Sequence, residues 1–355
     1  MKQAVTQKLI EKIEPYACKE FTGKAKRFIS ALHNFPHARV MELLPMLYTL
    51  SEEKNAMLDL FAGTGFVSHF LANIYSNVKQ IDEISEFAHT GKNISFIDGN
   101  ALKSDDLKKV KGNFDFEVCF AGFHHVLAQL NDEMSIYKTL KLRTDTLKKW
   151  KTLLNKYGIM LIVDVPAPDD ESNLKALNHK PKVNNVPIPQ SYFASVHQAC
   201  DKLGCELVNK TGHIPNTTGT YFHQLMTHIE KMSSRQPEPA HFFNSFVSKQ
   251  SEVGHYAYFQ STTNLAHCFK NAGFKDVHSF VCPTPWFFSS RKNAVWFIHE
   301  LFAIGDRAAK TPNDVSSVNT ELITEGIEHH LGLIDFPDGS CVILWKLMYV
   351  WGSAS

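Results

Sequence analysis

Met57-Leu58-Asp59-Leu60-Phe61-Ala62-Gly63-Thr64-Gly65 is an apolar run that carries one carboxylate and ends in a turn bracketed by two glycines. Glycine removes the side chain where a chain must turn sharply and lets a ligand come close to the backbone. The next segment, Phe66 to Ile74, has apolar residues at helical intervals, so the local reading is strand, turn, helix. The dinucleotide-binding fold opens in the same way, but its fingerprint calls for a third glycine at position 68, where Ser68 stands. That reading is weakened, and Asp59 points instead to a ligand carrying a positive group.

Working outward, short apolar runs alternate with helical patterns, which is the sign of a parallel sheet with crossover helices. Strands are expected near Asn77 to Asp82, Ile94 to Ile97, Phe114 to Gly122 and Gly158 to Val165, with a helix from Tyr137 to Leu154. In such sheets ligands sit at the carboxyl ends of the strands. Asp82 or Glu83 ends the second strand, where a carboxylate can accept both hydroxyls of a ribose. Asp98-Gly99-Asn100-Ala101 ends the third, where a polar side chain can hydrogen-bond an adenine amino group. Phe123-His124-His125 follows the fourth strand, and Asp164-Val165-Pro166 closes the fifth.

These residues resemble the class I S-adenosylmethionine-dependent methyltransferases. The resemblance rests on Leu58 to Gly65, the acidic end of strand two, Gly99-Asn100-Ala101, Phe123-His124-His125 and Leu154 to Gly158. It covers residues 57–165 and resumes at Tyr258-Phe259-Gln260-Ser261, a helix Thr263 to Ala272, and Gly273 to Val277 leading a sixth strand. It implies an α/β fold, a Rossmann-like, doubly wound, seven-stranded sheet with a mainly helical cap. The last strand, at 341–350, would run antiparallel between the fifth and sixth. The implied cofactor is S-adenosyl-L-methionine, held by Asp59, Phe61, Ala62, Gly63, Thr64, Gly65, Asp82, Glu83, Asn100, Ala101 and Phe123. Asn100 departs from the family's usual Asp, and Asn155-Lys156-Tyr157-Gly158 from its usual Pro-Gly-Gly. Charge supports the same cofactor independently: its methionine end bears an ammonium that Asp59 can hold, whereas a pyrophosphate would be repelled.

Composition fits this class. The chain has 355 residues, 44% hydrophobic, enough for one large domain with additions or for two domains. A net charge of +1 argues against a polyanion-binding surface, and there is no basic tract with interleaved aromatics, so no nucleic-acid partner is expected. The seven cysteines form no C-x-x-C pair, which fits reduced thiols. Met1 to Glu14 reads as an amphipathic helix, and no apolar run is long enough to span a membrane, so a cytoplasmic protein is expected.

Segments 1–55, 166–257 and 286–338 lie outside the shared core of 56–165, 258–285 and 339–355. Insertions at strand ends form caps over a cofactor, and an enclosed pocket favours a small-molecule substrate. Within the caps, Tyr192, Phe242, Tyr256 and Trp286 are candidate substrate contacts, because neighbouring aromatics such as Phe242-Phe243 and Trp286-Phe287-Phe288 cannot all face one core. His124, His125 and Asp164 are the candidate catalytic groups, beside ordinary capping and packing roles for the same side chains. The histidines of 179–228 do not fall at metal-ligand spacing, and no metal is expected. The leading expectation is methyl transfer to an oxygen, nitrogen or carbon nucleophile. The alternatives are a cyclase or lyase that releases methylthioadenosine, and a binding protein that keeps the fold without catalysis. Oligomeric state is not legible.

Overall fold

A computed structural model describes residues 24–88, 90–126, 136–169, 184–185, 237–252, 254–255, 257–336 and 338–355. Tyr192, Tyr256 and the helix expected at the N-terminus lie outside the described residues.

The strands of the main sheet are β1 (Ala56–Leu60), β2 (Asn77–Asp82), β3 (Ile94–Asp98), β4 (Phe114–Phe120), β5 (Leu154–Asp164), β6 (Asn184–Asn185), β7 (Lys275–Pro283) and, last in the chain, β11 (Lys346–Ser353). Their order is β3-β2-β1-β4-β5-β11-β7, with the two-residue β6 beside β7 at the edge. Only β11 runs antiparallel to its neighbours, β5 and β7. The central strands β1 and β4 are buried on both faces. Met57, Phe116 and Val118 join one core; Leu58, Phe114 and Cys119 join the other.

Helices α1 (24–34), α2 (Phe66–Leu71), α3 (Ser104–Leu107) and α4 (Ile136–Lys151) fall in the first half of the chain. They are followed by α5 (239–250), α6 (Thr262–Asn271), α7 (Arg291–Leu301) and α8 (Ser317–His330). Ser261 caps α6 by accepting from the Asn264 N–H at 3.2 Å. Helix α5 widens into a π turn at Phe243–Val247, a local distortion that frequently marks functional sites.

Two expectations need correcting. The apolar run 341–350 is not one strand: β10 (Cys341–Ile343) pairs with β8 (Trp286–Phe288) and β9 (Leu333–Asp335) in a separate sheet, and the chain crosses at Leu344-Trp345 into β11. The later insertion is mainly helical, as expected, with α7 and α8, and its two short strands β8 and β9 join β10 in a three-stranded antiparallel sheet beside α7. Trp286, Phe287 and Phe288 are all buried, because β8 is covered on both faces. Phe242 and Phe243 are buried likewise. A smaller difference lies at β5, which starts at Leu154 and absorbs the expected turn as an irregularity, with Tyr157 at φ 68°.

The early segment is sewn to the late ones. Arg27 of α1 donates to the carbonyls of His299, Ile304 and Gly305 at 2.8 to 2.9 Å. The Tyr349 hydroxyl donates to the Glu42 carbonyl at 2.7 Å. These ties fix α1 over the carboxyl ends of β1, β2 and β4.

Candidate functional site

Parallel register lines up the strand ends: Leu60 lies between Ile81 and Cys119, Asp82 opposite Asp98, and Phe120 opposite Val163. The order reverses between β1 and β4, and it is at such a switch point that open α/β sheets bind ligands. A cleft of about 830 Å³, opening included, occupies this position. Its walls carry Asp59, Phe61 to Thr64, Asp82, Glu83, Ala121, Gly122 and His125, and α1 closes it with Phe28 and Leu32.

The glycine turn is braced by charge. Gly63 has φ 52° and no atom within 4 Å of where a Cβ would point, so it faces open space. Its N–H donates to Asp82 at 2.8 Å, and the other Asp82 oxygen accepts from Ile84 N–H at 2.9 Å. Gly65 has φ 73°, and a Cβ there would run into the Gln80 side-chain amide. Two non-glycine residues on the cleft wall, Phe61 (φ 57°) and Ala121 (φ 51°), also sit in the left-handed region. Such strain costs on the order of 1–3 kcal/mol per residue and clusters at functional sites.

Asp59 is buried, and the Ser68 hydroxyl donates to it at 2.6 Å. The residue that spoiled the dinucleotide fingerprint thus holds the carboxylate of the turn. Burial pushes the Asp59 carboxyl up to about 7, with Ser68 opposing and Asp82 adding. Glu83 is partly exposed and accepts from the Asn100 side-chain amide at 2.9 Å; burial raises its pKa. Asn100 is buried away from the cleft lining, and its side-chain oxygen accepts from Leu102 N–H at 2.8 Å. Ala101 and Phe123 are buried beside Trp150, which donates to the Ala101 carbonyl at 2.8 Å.

A second cavity, about 620 Å³ of space, adjoins the first; Phe28, Arg39, Ala121 and His125 line both. Its remaining wall is largely aromatic and aliphatic, with Phe243, Trp286, Phe302 and Trp345, and it also bears His124 and His255. Of the four candidate substrate contacts, Trp286 reaches this wall and Phe242 does not. Trp286 is aimed by Glu42, which accepts from its indole N–H at 2.7 Å and pairs with Arg39, also at 2.7 Å. The Arg39 guanidinium lies over Phe66, Phe120 and Trp286 at 5.4 to 5.7 Å.

The catalytic candidates come together. Asp164 accepts from His124 backbone N–H at 2.8 Å and from Val165 N–H at 2.8 Å, and its Oδ1 lies 2.7 Å from His124 Nδ1. Burial raises the Asp164 carboxyl, but the His124 charge and these hydrogen bonds outweigh it and hold the pKa below the ordinary value. Behind them the fully buried Arg143 donates to the carbonyls of Val126 (2.8 Å), His124 (3.3 Å) and Tyr258 (2.6 Å).

Tyr258 N–H in turn donates to the His124 carbonyl at 3.0 Å. These bonds bring His255 to His124 and His125, with a ring nitrogen or equivalent ligand atom of each within 4.8 Å of the others. Burial, then the neighbouring His124 and His125, pushes His255 well below the usual imidazole range. Sequence spacing missed this cluster, since 130 residues separate His125 from His255. Arg143 and Arg39 had no local signal at all.

No described helix is long and apolar enough to cross a membrane. No protein-family model matches the sequence, and no curated protein matches it. Among solved structures, the YcgJ protein of Bacillus subtilis is 11% identical, with 88% of this chain and 97% of that one covered and a TM-score of 0.43. A protein of Bacillus halodurans described as a methyltransferase is 11% identical, with 89% and 98% covered and a TM-score of 0.41. The complex of DhpI with SAM and HEP is 11% identical, with 76% and 92% covered and a TM-score of 0.41. With TM-scores below 0.5, these likenesses add no argument about the site. The sheet itself, ordered β3-β2-β1-β4-β5-β11-β7 with β11 antiparallel, has the strand order of the class I S-adenosylmethionine-dependent methyltransferase fold.

Proposed function

We propose that the protein transfers the methyl group of S-adenosyl-L-methionine to an oxygen, nitrogen or carbon nucleophile of a small molecule. The observation that carries this reading is the pair of adjoining cavities at the switch point of the sheet, one bearing the carboxylates and the glycine turn, the other aromatic. The cleft with the carboxylates suits the donor. Asp59 receives the ammonium of the methionine end, and Gly63 offers close backbone approach. Glu83 receives the ribose hydroxyls, since both oxygens of Asp82 are taken by backbone N–H groups.

The aromatic cavity suits the acceptor. With the donor seated against the shared wall at Ala121 and His125, the sulfonium methyl faces the second cavity, and an acceptor there attacks it in line. A cavity lined by Phe243, Trp286 and Trp345 favours an apolar or flat acceptor, and Arg39 on the shared wall favours one with a carboxylate.

The test is product analysis after incubation with S-adenosylmethionine, with and without a panel of aromatic and aliphatic acids. S-adenosylhomocysteine formed only with an acceptor is the expected result. Methylthioadenosine formed without any acceptor overturns it in favour of cyclase or lyase chemistry.

A further inference from the structure

We propose that His124, His125 and His255 bind one divalent transition-metal ion at the wall between the two cavities. The ring centres of His124 and His125 lie 4.2 Å apart, and each lies 5.4 Å from that of His255. Three imidazoles that meet one ion at about 2.1 Å, with angles between about 90 and 110°, have centres roughly 4.5 to 5.3 Å apart. The observed centre-to-centre distances come within a few tenths of an ångström of that range, and the candidate ligand atoms, which lie within 4.8 Å of one another, close to about 3.0 to 3.4 Å when they meet the ion.

What surrounds the triangle is what a histidine metal site requires. A ligating imidazole holds its other ring nitrogen on a carboxylate or carbonyl, which fixes tautomer and orientation. His124 has that partner in Asp164, which is itself fixed by two backbone N–H groups. His255 is steadied by stacking on Phe243 at 4.6 Å and by Phe259, parallel within 8° at 5.9 Å. Arg143 fixes the backbone of both segments through the His124 and Tyr258 carbonyls. An all-imidazole set favours zinc, iron(II), cobalt or nickel over magnesium or calcium, which prefer oxygen.

Three protein ligands leave coordination positions open, and both cavities adjoin them. Resting on the methyl-transfer reading, the ion there would take an acceptor oxygen and lower its pKa, so that the hydroxyl proton passes to solvent. The oxygen then forms its bond to the methyl carbon while the carbon–sulfur bond breaks, its electron pair remaining on sulfur to give the neutral thioether. This assigns the acceptor class as one with a hydroxyl or carboxyl oxygen.

The test is titration of the metal-stripped full chain with Co²⁺ followed by visible absorption, with Zn²⁺ competition. S-adenosylhomocysteine binding is measured by calorimetry on the same samples. One equivalent of Co²⁺ displaced by Zn²⁺ is expected. His255→Ala and His125→Ala should each weaken it by at least about tenfold, and Asp164→Asn by about 10- to 100-fold. His255→Gln serves if His255→Ala melts early. Absence of Co²⁺ binding, or binding unchanged in the His125 and His255 variants, overturns the metal site while leaving the donor reading to stand on its calorimetry. Metal binding without nucleoside binding overturns the donor reading alone.

Discussion

The Ser68 hydroxyl donates to Asp59 at 2.6 Å, across a wall where Asp59 is only 1% exposed. With its carboxyl raised to about 7 by burial, Asp59 is ready to be held ionised by a cation. A ligand with an ammonium group selects the ionised form. Affinity for S-adenosylmethionine should therefore be full above about pH 7 and fall towards tenfold per pH unit below it. Asp59→Asn should flatten that profile and weaken binding about 10- to 100-fold at about pH 8. The empty protein should behave in the opposite sense. A folded-state pKa above the unfolded one gives a stability contribution that is full below the unfolded carboxyl range and is lost as pH rises through about 7. Asp59→Asn should then melt above the parent at about pH 8 while binding worse. A parent whose affinity is flat between about pH 6 and pH 8 contradicts the assignment.

Asp82 and Glu83 are neighbours with different work. Asp82 spends both oxygens on Gly63 and Ile84 N–H groups, whereas Glu83 meets one side-chain amide at the cleft edge. Asp82→Ala should lower stability by about 1–3 kcal/mol, since one buried and one part-buried N–H group lose their acceptor. Glu83→Ala should leave the melting temperature within a few degrees and weaken nucleoside binding by roughly tenfold or more. Denaturant melts and calorimetry on both variants separate the roles; the reverse pattern would exchange them.

The glycine turn was legible because its chemistry is local: the strand, the two glycines and the following helix lie within one short stretch. The strand ends at Asp82, Asp98 and Asp164 were legible for the same reason. The break at Leu344-Trp345 was not, because an apolar run looks the same whether it serves one sheet or two. Nor was the burial of Trp286-Phe287-Phe288, which depends on elements far away in sequence covering both faces of β8. The meeting of His255 with His124 and His125 depends on Arg143 and on backbone hydrogen bonds to Tyr258, and spacing rules see neither.

Gly63 and Gly65 look equivalent in sequence and are not equivalent in space. At Gly65 a methyl group would meet the Gln80 side chain and the backbone has φ 73°, so Gly65→Ala should destabilise by more than about 1 kcal/mol. At Gly63 no atom lies within 4 Å of the added methyl, which would project into the open cleft. Gly63→Ala should cost about 1 kcal/mol of backbone strain yet weaken donor binding more than that, by occupying its space. Comparing the melting shift with the affinity loss in each variant tests this, and equal ratios would refute it.

Glu117 is the one fully buried carboxylate among the described residues for which neither oxygen has a hydrogen-bond partner. It lies on β4 opposite Leu58 of β1 and Met160 of β5, inside the sheet and away from both cavities. Burial raises its pKa well above the ordinary value and so favours the neutral acid in the fold. The unfolded chain loses that proton near the ordinary carboxyl range. The stability that the neutral acid retains is therefore full below that range and is lost as pH rises. Glu117→Met keeps the volume and removes both the desolvated oxygens and the titration, so it should stabilise the fold by on the order of 1–3 kcal/mol near neutral pH. The gain in melting temperature over the parent should widen between about pH 5 and pH 8. A gain that stays constant with pH would mean that Glu117 does not titrate between the two states, and a loss would mean that the carboxyl has a partner in solution.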